Sequence, residues 1–76
     1  MKQDLLRQAG YHYNFERMLY FNRQDKKAFS VEFVDDHDES ELAMRIREDA
    51  SRNGWRFYFN SPPSDPVKEE LERTLG

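Results

Sequence analysis

Residues 15–60 read FERMLYFNRQDKKAFSVEFVDDHDESELAMRIREDASRNGWRFYFN, and the changes of apolar spacing along them decide the fold. Up to Phe21, and again over residues 28–33, apolar side chains recur at every second position, the period of a strand with one buried face. From Leu42 the spacing lengthens to that of a helix, and after Asn53 and Gly54 it returns to two in Trp55, Phe57 and Phe59. The first strand extends back to Tyr11. Tyr11, Tyr13, Phe15, Leu19 and Phe21 then share one face, and His12, Asn14, Glu16, Met18, Tyr20 and Asn22 share the other. Phe29, Val31 and Phe33 continue the odd-numbered apolar face in a second strand, and Trp55, Phe57 and Phe59 continue it in a third.

Residues opposite one another in an antiparallel pair lie on the same face, so odd numbers are expected to pair with odd. The loop around residues 23–26 must then hold an odd number of residues, and three fit best. Arg17 breaks the alternation. Either a bulge near Glu16 and Arg17 shifts the register, or the Arg17 stem crosses the sheet edge and its head reaches water.

Asp38 followed by Glu41 reads as a capping box, with acidic residues in the first turn where the helix dipole favours them. This predicts a helix over residues 38–53, ended by Asn53 and Gly54 and burying Leu42, Ala43, Ile46 and Ala50. Before the sheet, residues 4–9 suit a short helix stopped by Gly10. After it, Ser61-Pro62-Pro63-Ser64 is a stiff link, and Asp65-Pro66 starts a closing helix with Val67, Leu71 and Leu75 at every fourth position. A crossover through the central helix sets the third strand parallel to the second and beside the first. The expected fold is a single α+β domain, residues 1–76, of element order αββαβα. Its sheet has three antiparallel strands in the order 2-1-3, with one helix packed on one face and short terminal helices.

A chain of 76 residues buries about 60% of its unfolded surface, which leaves a thin stability margin. Cysteine is absent, removing disulfides and thiolate chemistry and pointing to a cytoplasmic address. The longest apolar run, Met18 to Phe21, is far short of the roughly 20 residues that span a bilayer. The formal net charge of −3 is concentrated in residues 35–50, which hold seven acidic and two basic side chains. Such a field does not draw the chain to duplex nucleic acid.

Gly10, Gly54 and Gly76 are too scattered to cradle a phosphate, and no glycine-flanked nucleophile is present. The expectation is therefore a non-catalytic domain without cofactors that binds protein, either a larger partner or a second copy of itself. The candidate binding residues are Met18, Tyr20, Arg56 and Tyr58 on the even face of the sheet, because Tyr, Met and Arg are enriched at interfaces. On another reading, Val67 and Leu71 with Leu5 and Leu6 fold over that face and complete a two-sided core. Two further alternatives stand beside these. Arg56 and Tyr58 could stack single-stranded bases, with Arg23, Lys26 and Lys27 near phosphates, or His12, Asp36 and His37 could gather into a weak metal site. Loss of the predicted helix cap in Asp38→Ala should cost about 1 kcal/mol in urea denaturation; an unchanged midpoint would place the helix start elsewhere.

Overall fold

The computed structural model, which describes residues 1–48 and 54–76, shows an α+β protein with a four-stranded mixed sheet. Its elements run α1 (Lys2–Gln8), β1 (His12–Asn14), β2 (Leu19–Asn22), β3 (Lys27–Ser30), α2 (Val31–Asp36), α3 (Glu39–Arg47), β4 (Arg56–Tyr58) and α4 (Asp65–Leu75). The strands lie in the order β1-β2-β3-β4, antiparallel except for the last pair, which is parallel. The three-stranded antiparallel sheet of order 2-1-3 and the element order αββαβα are thereby corrected.

The corrections have local causes. The single first strand is two strands, because the chain reverses at residues 15–18. There the Asn14 side-chain oxygen accepts the Arg17 amide at 2.8 Å and Met18 takes a left-handed φ of 53°. The misfit at Arg17 is thus a full turn, and β2's first edge is taken by β1. β4 pairs instead with the free edge of β3, parallel to it as expected.

The second strand ends early. The Ser30 hydroxyl accepts the Phe33 amide at 3.1 Å and caps a helix, so Val31 and Phe33 leave the sheet. The loop between β2 and β3 holds four residues, stapled by the Asp25 amide on the Asn22 side chain at 2.9 Å and a positive φ at Lys26. Even loop length pairs even with odd: Tyr20 faces Phe29 and Phe21 faces Ala28.

Other expectations hold. Gly10 ends α1 with a φ of 92°, and Asp38 caps α3 by accepting the Glu41 amide at 2.8 Å. α3 is shorter than expected, ending at Arg47 with Glu48 extended; Ala50 and Asn53, assigned to its far end, lie outside the described residues.

Both sheet faces are covered. Tyr20, Phe29 and Tyr58 form one core with Tyr11, under Leu6 of α1, Phe33 and Val34 of α2 and Leu42 of α3. Leu19, Phe21, Ala28 and Trp55 form the second, closed by Leu71 and Leu75 of α4. Burying a side chain of this size contributes about 1.5–3 kcal/mol, so a two-sided sheet is how so short a chain offsets the conformational entropy it loses on folding. Val67, expected on the same stripe of α4, is exposed.

Two cations of the β2–β3 hairpin fasten the helices. Lys27, fully buried, donates its ammonium to the carbonyl oxygens of Arg45 at 3.1 Å, Ile46 at 2.9 Å, and Glu48. These groups end α3, where the helix dipole favours positive charge. Arg23 donates Nε to the Leu75 carbonyl at 2.7 Å at the end of α4, with its guanidinium 5.1 Å from the centre of the Phe21 ring. One hairpin therefore caps a helix on each face. Lys27→Met, which keeps the stem and removes the ammonium, should lower the unfolding free energy by about 3 kcal/mol. Urea denaturation reads this directly, and a loss below about 1 kcal/mol would show that the end of α3 is held by other groups.

Candidate docking surface

The structure divides the four residues expected to bind. Tyr20 and Tyr58 flank Phe29 within the first core, Tyr58 stacking on it at 4.5 Å between ring centres and 11° between planes. Met18 and Arg56 are exposed and lie at different places, Met18 in the turn between β1 and β2 and Arg56 on the edge strand β4. The even-numbered residues thus do not form one open face. The short chain uses both faces of its sheet as core, and the four-residue hairpin loop puts Tyr20 beside Phe29 rather than away from it.

Tyr58 and Arg56 belong to a network around Glu48. The Glu48 carboxylate accepts the Tyr58 hydroxyl at 2.8 Å, Arg45 at 2.8 Å and Arg56 at 3.3 Å. The Tyr58 hydrogen bond above all, with help from Arg45 and Arg56, holds the Glu48 carboxyl below its ordinary value of 4.5 against its partial burial. Burial first, then the hydrogen bond to Glu48, pushes the Tyr58 phenol up, although its contact with Arg56 pulls the other way. Burial likewise raises Tyr20. Tyr11 is raised further by burial and by Asp25, and its hydroxyl has no hydrogen-bond partner among the described residues. These phenols stay neutral near pH 7 and act as packing groups.

The residues considered for metal do not meet. His12 lies on the edge strand β1, its ring 5.9 Å from that of Phe21, whereas His37 stacks on Phe33 at 3.8 Å with its Nδ1 against the Phe33 carbonyl. Asp36 accepts the Asn60 amide at 2.6 Å. Among the described residues, no group of three or more His, Asp or Glu side chains is placed to hold a metal ion. The cations considered for phosphate are also committed elsewhere, Arg23 and Lys27 to helix ends, with Lys26 in the loop between them.

Among the described residues, three of the six exposed large apolar side chains lie together on one hairpin that the alternation of the sequence conceals, while Met1, Met44 and Val67 are scattered at the start of α1, on α3 and on α4. Phe15 is 82% exposed, Met18 58% and Tyr13 42%, all on the β1–β2 hairpin. The turn is firmly held: Asn14 accepts the Arg17 amide, the Val31 amide donates to the Met18 carbonyl at 3.0 Å, and the Arg17 guanidinium pairs with Glu70 of α4. Beside it, Arg17, Met18, Ser30, Val31 and Glu32 line a cleft of about 250 Å³. The charged pair Glu16 and Arg17 interrupting an apolar alternation, next to the turn-forming Asn14, is the sequence signal for this tip.

No protein-family model, curated protein or solved structure matches the chain.

The Glu48 network predicts a pH dependence. A carboxyl depressed in the folded state contributes stability above its unfolded pKa and loses it as pH falls through the folded one. Wild type should therefore exceed Glu48→Gln in stability at pH 7, with the difference shrinking below about pH 4.5. Urea denaturation from pH 7 to about 3 measures it, and a difference that does not change with pH would remove Glu48 from the acid response.

Proposed function

We propose that this chain is a non-catalytic protein-binding domain, cytoplasmic in keeping with its lack of cysteine, which docks through the β1–β2 hairpin tip. The supporting observation is an 82% exposed Phe15 on a turn restrained at three points. A chain that draws nearly all its other aromatics into two cores leaves this ring in water, where it contributes nothing to folding. A rigid anchor also loses little entropy on binding.

The form of the tip suits a partner with a concave surface. Two aromatics and a methionine offer on the order of 300 Å² of apolar surface, below the about 600 Å² or more that each side of a standard complex buries, so the contact is small and centred on one ring. Phe15 suits a pocket in the partner sized for a phenyl ring, with Met18 and Tyr13 at its rim, in the manner of interfaces dominated by a few central residues. Of the residues expected to bind, Met18 contacts the partner in this reading, while Tyr20 and Tyr58 hold the hairpin's support. No helix among the described residues is long and apolar enough to cross a membrane.

Replacing Phe15 and Met18 together by Ser should leave the melting temperature within about 3 °C of wild type, since neither is buried. The same replacement should abolish nuclease-resistant capture of a defined protein from lysate. Capture that survives the replacement, or that disappears with nuclease, would overturn the proposal. Concentration-dependent sedimentation of the pure chain, lost with the double variant, would instead make the partner a second copy.

A further inference from the structure

We propose that the cleft beside the hairpin tip takes one basic side chain of the docked partner, a lysine or an arginine, whose stem lies on Met18 and Val31 and whose head meets Glu32. This rests on the docking reading of the Phe15 tip and adds the chemistry of the partner to it: a pocket for a phenyl ring with a cation at its border.

The cleft forms where the β1–β2 turn meets the start of α2. Arg17 and Met18 line it from the turn, and Ser30, Val31 and Glu32 line it from the end of β3 and the first turn of α2. Both sides are held by hydrogen bonds, the Val31 amide on the Met18 carbonyl at 3.0 Å and the Phe33 amide on the Ser30 hydroxyl at 3.1 Å. Its volume of about 250 Å³ lies below the roughly 300–1,000 Å³ of small-molecule sites. A single side chain fits it better than a cofactor does.

Charge decides which side chain. Arg17 is neutralised by its pair with Glu70 of α4, and no other basic side chain lines the cleft. Lys2, which reaches α2 from α1, lies on the Asp35 carbonyl at 3.1 Å and is balanced by the Asp35 carboxylate of the same residue. Glu32 in the cleft and Glu16 in the turn are exposed, and neither carboxylate has a partner among the described residues. The tip therefore carries two uncompensated negative charges, the sign of the whole chain at −3. An acidic side chain entering here meets like charge, and an apolar one takes the Glu32 carboxylate out of water without a partner. A lysine or arginine satisfies both parts of the wall, its methylenes on Met18 and Val31 and its head on the carboxylate.

The test titrates acetyl-Gly-Arg-Gly-amide into the full chain carrying 13C at its methionine methyls. Met18 reports the cleft, and Met1 and Met44, which do not line it, serve as references. The expected result is a saturable shift of the Met18 methyl at millimolar peptide, with binding at least about fivefold weaker when citrulline, the neutral isostere, replaces arginine. Glu32→Gln should weaken the arginine peptide by a similar factor without lowering the melting temperature, and Phe15→Ser should leave peptide binding unchanged. In capture from lysate, Glu32→Lys should reduce recovery of the protein that wild type retains by at least about tenfold. The docking reading fails separately, if no protein is captured while the peptide still binds. No saturable Met18 shift, equal binding of the citrulline peptide, or indifference to Glu32→Gln would overturn the proposal.

Discussion

The arrangement depends on a buried lysine at the end of a helix. Lys27 begins β3 and reaches the carbonyls that end α3, so that strand and helix cannot be placed independently. An ammonium is costly to desolvate, and it is tolerated where unpaired carbonyls and the helix dipole supply opposite partial charge. The same contact sets Glu48, whose backbone accepts from Lys27 and whose side chain binds Tyr58 and Arg56 of β4. The cap thus connects β3, α3 and β4 in one chain of hydrogen bonds. Arg23, across the four-residue loop, does the equivalent for α4 on the opposite face. Arg23 and Lys27, set near phosphates in one reading of the sequence, are the fastenings of both helical layers.

With both faces covered, the surface available for function shrinks to the margins of the sheet. Aromatics that an open face would have displayed, Tyr20 and Tyr58 above all, stack around Phe29 instead. Apolar side chains outside the two cores include Phe15, Met18 and Tyr13, which lie together on the β1–β2 hairpin.

Features legible in the sequence were those decided by a few neighbouring residues. Asp38 with Glu41 marked the start of α3, Gly10 the end of α1, and Asp65-Pro66 the start of α4, because a cap needs only its own turn. The α+β class followed from the change of apolar period. The first hairpin was not legible, since Tyr11, Tyr13, Phe15, Leu19 and Phe21 keep one parity across a turn of even length, and alternation is blind to a reversal of direction. Phe29, Val31 and Phe33 misled in the same way. Three apolar residues at spacing two fit a strand, but Ser30 captures the Phe33 amide and starts a helix between them. Of the candidate binding residues, Met18 and Arg56 are exposed as an interface reading requires, whereas the placement of Tyr20 and Tyr58 hung on the length of one loop.

By itself the sequence determined the helix termini, the α+β class and the supply of aromatic side chains that a sheet could bury, because these follow from local propensity and period. Tertiary structure alone decided that β4 joins β3, that both faces are core and that Phe15 is left outside. Strand partner and face are settled by competition among distant segments for the same edges and the same buried volume, and no window of neighbouring residues contains that competition.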